Sequence, residues 1–361
     1  MSIVNTNNII YNFDQKNIDN THDTHDTHDT HDIHDAHDTH ITNIFEYSFN
    51  IETINIENVM EYSERYNTCN NFVNGKPSDY NEKIVQTYTS KWIDLFRSEY
   101  KKIIIDSPKH IKWLKNVANV SMLTGKFSNL YSDELEDLIK EFDETESAGC
   151  MCVLRSRYMC GDLDAAILGA KIFDGNNYFV RTENVSLKYG QHGIGPYKDL
   201  KTIIESIVST THKHTPIKNN TETIAIYLIP WINIDPANEF RVFVYNNKIT
   251  AISQQNLYER FYQNDYIDNE RSKLIDLHND MIIEKLKIIV NYFYETIIHK
   301  ITITNYTYDF AIIDMKPYFI ELNCFGKEYA AGSALFHWTI DEKILYNDFS
   351  SDKIIHFRYT I

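Results

Sequence analysis

The stretch Tyr308–Gly326, YDFAIIDMKPYFIELNCFG, decides the fold. It reads as two strands and a tight turn, apolar enough to be buried, yet it holds Asp309, Asp314, Glu321 and Asn323. Side chains alternate along a strand, so Glu321 and Asn323 share one face and Ile320 and Leu322 the other. Asp309 and Asp314 have opposite parity, and the register decides which of them faces Glu321. A connecting loop of three or five residues puts Asp309 directly across. A loop of two or four turns Asp314 to that face, but beside the turn and ~13 Å from Glu321 at ~3.3 Å per residue, too far to share an ion. The compact constellation open to this hairpin is therefore Asp309, Glu321 and Asn323. Two carboxylates and an amide oxygen suit a hard divalent cation such as magnesium, with substrate phosphates completing its shell. Without a cation, close carboxylates repel and one takes up a proton. The same residues would also serve as the solvated face of an ordinary amphipathic hairpin.

Working outward, EFRVFV sets Glu239, Arg241 and Phe243 on one strand face, leaving Arg241 as a charge within an apolar strand. A guanidinium there pairs with a neighbouring acid or with phosphate oxygens. YFVRTENVSLKYG sets Arg181 on a strand and Lys188 in a loop closed by Gly190, a loop able to close over a triphosphate. A basic half facing an acidic, metal-binding half is what a magnesium nucleotide requires.

The surrounding periodicities mix helices with strands. Val85, Tyr88, Trp92, Leu95, Phe96 and Tyr100 fall at the spacing of one helix, and Leu135, Leu138, Ile139 and Phe142 at that of another. YKDLKTIIESIVS is amphipathic through Leu200, Ile203, Ile204, Ile207 and Val208. MCVLRSRYM, NYFVRTEN and IAIYLIPW read as strands, and EFRVFVYNNKITAISQQ as a hairpin turning at Asn246-Asn247. A long helix lies around NDMIIEKLKIIVNYFYETIIHK. Strands joined as hairpins and interleaved with helices indicate α+β. No glycine-rich P-loop or dinucleotide fingerprint is present.

Residues 1–44 form a separate low-complexity tail. THDTHDTHDTHDIHDAHDTH repeats every three residues, a period that fits neither helix nor strand face, and its apolar content cannot offset the entropy of ordering it. The globular body is expected over 45–361, in approximate lobes 45–225 and 226–361. The chain of 361 residues carries a net charge of −16, which argues against direct nucleic-acid binding. The N-terminus lacks a basic and apolar leader, and no apolar run approaches the ~20 residues of a membrane helix. Cys150, Cys152 and Cys160 lack a second C-x-x-C or His pair at zinc spacing and read as reduced thiols. A cytoplasmic protein is the simplest expectation.

WINIDPANEFRVFVYNNKITAISQ, then YDFAIIDMKPYFIELNCFG and SALFHW, resemble the cell division cycle protein 123 family. The resemblance is strongest over residues 226–338, weaker over 84–209, and does not reach the His/Asp tail. It implies an ATP-grasp fold, two α+β subdomains clasping ATP and Mg2+. The family's metal ligands, a strand aspartate and a D-x-N pair, fall on Asp309, Glu321 and Asn323, with glutamate here for the second aspartate. Its nucleotide lysine falls on Arg181 and its strand arginine on Arg241. IYLIP, with Tyr227 and Leu228, stands where the hinge backbone meets adenine, just before Trp231. Ile229 and Pro230 replace the family's basic residue there. Gln255 and Asn256 follow Ile252-Ser253-Gln254 where the family has arginine and aspartate. The implied role is assembly of translation initiation factor 2 through its gamma subunit. Two alternatives are an ATP-grasp carboxylate–amine ligase, with Arg155 and Arg157 as acceptor candidates, and a degenerate nucleotide site kept as an interaction scaffold. Catalytic turnover and catalytic residues are left open.

Overall fold

A computed structural model describes residues 10–12, 47–69, 75–124, 173–210, 214–261, 271–329, 332–347 and 354–361. The His/Asp repeat, the helix expected over 132–142, the strand MCVLRSRYM, Cys150, Cys152, Cys160, Arg155 and Arg157 lie outside the described residues.

The fold is α+β, built on two sheets. The larger contains β1 (Ile10–Asn12), β2 (Ser48–Ile54), β6 (Glu239–Tyr245), β7 (Lys248–Gln254), β8 (Tyr306–Ile313), β9 (Lys316–Cys324) and β10 (Ile354–Thr360), in the order β1-β2-β10-β7-β6-β8-β9. The smaller contains β3 (Lys101–Ile105), β4 (Tyr178–Arg181) and β5 (Ile224–Pro230), in the order β3-β5-β4. All of β5 belongs to the smaller sheet, so the approximate lobe boundary at 225/226 falls inside a strand, and β2 from the N-terminal side joins the larger sheet. Both expected hairpins form. β6 turns into β7 through Asn246 and Asn247 at φ 50° and 60°, the left-handed pair of a type I′ turn. β10, by contrast, runs parallel to both β2 and β7.

Each sheet has its own core. Ile282, Leu286, Ile289 and Val290 of the long helix α6 (Arg271–Tyr292) cover one face of the larger sheet, where Val242, Ile252, Tyr308, Phe310, Leu322 and Phe357 meet them. The smaller sheet packs on α4 (Pro108–Thr124) and α5 (Leu200–Ser209). Asp199 caps α5 by accepting from the Thr202 backbone N–H at 2.8 Å, and the predicted apolar stripe Leu200, Ile203, Ile204, Ile207 and Val208 is buried throughout. The single helix predicted across Val85–Tyr100 is instead two, α2 (Tyr80–Val85) and α3 (Thr89–Phe96). Tyr88 is extended, and Thr89 bonds the Thr182 carbonyl through Oγ1 at 2.7 Å and the Glu183 carbonyl through its N–H at 2.7 Å. Those tertiary bonds outcompete helix continuation, leaving Val85 and Leu95 exposed.

The other face of the larger sheet carries a transverse polar row. Reading across the ladders, Glu52, Arg358, Ser253, Arg241, Asp309 and Glu321 stand side by side. The segment 332–347 covers this face. Phe336 and Trp338 pack on Phe243, and Arg358 forks onto Asp341 at 2.7 and 3.0 Å while reaching Glu52 at 2.6 Å.

Candidate functional site

β8 and β9 are joined by Asp314 and Met315 alone, both with positive φ. A two-residue loop should have turned Asp314 toward the face of Glu321. The ladder nevertheless pairs Asp309 with Glu321, because the register shifts by one between Asp309 and Phe310. Phe310 faces Phe319, so Ile320 is the extra residue of a β-bulge. The loop-length rule is thus overturned by the bulge, and the pairing it made conditional on a longer loop occurs with the short one. Thr307 faces Asn323 on the same side.

Two arginines reach these carboxylates. Arg241 grips Asp309 bidentately, Nε to Oδ1 and Nη2 to Oδ2, both at 2.7 Å, and gives Nη1 to the Gly332 carbonyl at 2.7 Å. Arg241 is 7% exposed and Asp309 2%. Of the two readings open to Arg241, the ion pair is the one present, with Asp309 as partner. Arg181, at the end of β4 in the smaller sheet, pairs through Nη1 with Glu321 and lies 5.4 Å from the Trp92 ring. Arg181–Glu321 therefore bridges the two sheets. Asn323 donates from Nδ2 to Glu321 Oε1 at 3.3 Å, leaving its carbonyl oxygen as an acceptor.

The electrostatics follow from burial and proximity. Burial, and then the Glu321 charge, push Asp309 up to about 6 against the pull of Arg241. Burial alone would raise Glu321 too, but Arg181 and the hydrogen bond with Asp309 take it below the carboxylate range. The two carboxyl groups thus act as one unit between two guanidiniums. Glu239, two residues before Arg241, is pushed up to about 7 by burial and then by Asp309 and Glu321. Lys188 is exposed, and its charge acts on both Glu239 and Glu321. Sequence reasoning weighed Glu239 only as a partner for Arg241. Its place on the same strand face was the signal that it belongs here.

The loop carrying Lys188 is pinned at its base. A Cβ on Gly190 would fall 2.6 Å from both Cβ and the carbonyl oxygen of Ser206 on α5, so this glycine is required for close packing. Tyr227 and Leu228, expected at the hinge, are buried, and β5 is central in its sheet, with both residues paired to β3 and β4. The Tyr227 hydroxyl donates to Glu183. Trp231 follows the strand, half-buried beside Gly195. The structure thus brings Arg181, Arg241, Asp309, Glu321 and Asn323 together and sets Lys188 in their field. It holds Tyr227 and Leu228 within the smaller sheet.

Among the described residues no cluster of three or more His, Cys, Asp and Glu side chains is arranged as a metal site. The trio of two carboxylates and an amide oxygen nevertheless has the donor chemistry of a hard cation, and a cation there would have to displace Arg181 from Glu321. Among the described residues no helix is long and apolar enough to cross a membrane.

No curated protein matches the chain. Among solved structures, Cdc123 from Schizosaccharomyces pombe is similar at 15% identity and a TM-score of 0.45, over 76% of this chain and 96% of that one. A C-terminally truncated Cdc123 from the same organism gives 14% and 0.43, over 77% and 97%. A RimK domain protein ATP-grasp from Sphaerobacter thermophilus gives 12% and 0.25, over 49% and 52%. Residues 197–359, which hold β5 to β9 and the Arg241–Asp309 pair, match the D123 family model and so bear out the resemblance to the cell division cycle protein 123 family.

Proposed function

We propose that this chain binds ATP with magnesium and serves as an assembly chaperone of translation initiation factor 2, through that factor's gamma subunit. One observation carries the nucleotide half: two buried arginines converge from different sheets on the adjacent carboxylates Asp309 and Glu321. A divalent cation would bridge carboxylates to phosphate oxygens when bound. Asp309, Glu321 and Asn323 would hold it. Arg181, freed from Glu321, keeps a charge-assisted donor set for phosphate, and Lys188 adds a second cation from its loop. Trp231, half-buried beside Gly195, would flank the base. The family match supports the chaperone half, and nothing in the site itself names the partner.

A second reading, an interaction scaffold without nucleotide, is favoured by one feature. Both arginines are already satisfied by protein acids, and the hinge backbone at Tyr227 and Leu228 is fully engaged in its sheet. Calorimetric titration of ATP into the full chain, with and without magnesium, decides between them. Affinity raised tenfold or more by magnesium, and lost in Glu321→Gln, supports the first reading. Absence of binding under both conditions leaves the scaffold.

A further inference from the structure

A cavity of about 230 Å³ lies at the turn end of the β8–β9 hairpin, walled by Phe96, Ile229, Ile232, Tyr292 and Phe319. It lies along β9, where Pro317, Tyr318 and Phe319 meet Ile229 and Pro230 at the end of β5. Phe319 faces Phe310 in the core beneath α6, and Tyr292 comes from α6 itself. None of Arg181, Arg241, Asp309, Glu321 and Asn323 lines it.

Arg97 also lines this cavity, and its guanidinium lies 4.1 Å from the centre of the Tyr318 ring. Nη1 donates to the Phe96 carbonyl at 3.0 Å and Nη2 to the Phe319 carbonyl. Nε is buried and without a partner. A guanidinium has five N–H donors, so these two bonds leave capacity for more. No carboxylate among the described residues pairs with Arg97, and burial lowers its pKa. Exposed Glu99 also lines the cavity and makes no ion pair with Arg97.

We infer that this cavity is a binding site for a small organic monocarboxylate with a planar or branched apolar body. A buried cation with open donors favours an anion. A single guanidinium with a carboxylate nearby matches one negative charge better than the two of a phosphate. The aromatic and aliphatic walls match a ring or branched chain. The volume falls below the ~300–1,000 Å³ of pockets for drug-sized ligands, which leaves room for a single ring and not for a nucleotide. This assignment does not require that nucleotide bind, and it shares Ile229 and Pro230 with the segment expected to meet adenine, which is why the test includes ATP.

Benzoate is the probe, followed by ligand-observed NMR on the full chain, with benzamide as its uncharged match. Benzoate should bind at millimolar concentration and benzamide at least tenfold more weakly. Arg97→Gln should abolish the preference. Because that variant also loses bonds to two carbonyls, Ile232→Trp gives a separate check. It fills the cavity from a partly exposed wall without touching Arg97, and it should block benzoate while circular dichroism stays unchanged. Saturating magnesium-ATP should leave benzoate binding in place, whether or not ATP itself binds. Equal binding of benzamide, no binding of benzoate, full binding to Ile232→Trp, or one-for-one displacement by ATP would each overturn the assignment.

Discussion

Asp309 stands across from Glu321 because Ile320 bulges out of the ladder between that pair and the turn. Without the bulge, the register of the Ile313–Lys316 pair would carry Ile320 to the position opposite Asp309. A one-residue insertion in β9 thus converts an apolar partner into an acidic one. It also accounts for two carboxylates meeting within a hairpin whose other face, with Tyr306, Tyr308, Phe310 and Leu322, packs into the core. Bulges re-aim side chains in this way beside functional sites.

The turn that sets this register is strained at Met315, a non-glycine residue at φ 58°. Left-handed backbone costs an ordinary L-residue about 1–2 kcal/mol. Met315→Gly creates the favoured Asp-Gly type I′ turn. It should raise stability by about 1 kcal/mol in urea denaturation, and an unchanged midpoint would mean the turn is not the constraint on this hairpin.

Asp309 and Arg241 form a buried pair, and removing one partner strands the other. Asp309→Ala should cost about 3–5 kcal/mol, because the guanidinium is then uncompensated. The double variant Asp309→Leu with Arg241→Met should recover most of that loss. Urea midpoints for the two singles and the double give the coupling. Near-additive losses would show that the pair does not act as a unit.

Stability should fall as pH rises toward 7. Glu239 is lifted from its ordinary 4.5 to about 7 and Asp309 from 3.8 to about 6. Both bind protons more tightly in the folded chain. Their contribution is whole below about pH 4, where both states are protonated, and is lost as pH passes through the raised values. Glu321 is shifted the other way, so its contribution is lost only in acid. Glu239→Gln should therefore raise the melting temperature at pH 8 by roughly 2–4 °C and leave it nearly unchanged at pH 5. Melts at the two pH values check the sign.

Gly190→Ala should lower stability by about 1–3 kcal/mol, since its Cβ meets the backbone of Ser206 and not only a side chain. The same variant should alter the reach of Lys188. If magnesium-ATP binds, its affinity should drop in step with a Lys188→Ala control. A fully stable Gly190→Ala would mean the base of the loop can move away from α5.

Much of this architecture is legible in short patterns. The Asn246-Asn247 turn, the apolar stripe of α5, the alternation of β6 and the closing hairpin all follow from local chemistry. What local chemistry could not supply was long-range. KKIII and IIHFRYT, which form β3 and β10, have the β-branched and aromatic content of strands, but their partners lie more than 100 residues away and only the fold names them. Helical spacing across Val85–Tyr100 was real, but bonds from Thr89 to Thr182 and Glu183 split it. At the candidate site, parity pointed to Asp309, Glu321 and Asn323 as the compact set. The arginine partners depend on ladder register and on the meeting of two sheets. The bulge at Ile320 has no single-residue signature.

The position of β10 bears on how the chain reaches its folded state. This strand lies between β2 and β7, parallel to both, and Ile361 exchanges backbone hydrogen bonds with Ile54 and Ile56. Partners about 300 residues apart in sequence must therefore meet before the larger sheet closes. Until translation has passed Thr360, β2 and β7 each present an open edge with unpaired backbone groups. Closure over so long a loop favours slow assembly. A nascent chain of this protein is therefore itself a candidate client for holding factors, and its sheet is completed by the strand made last among those described.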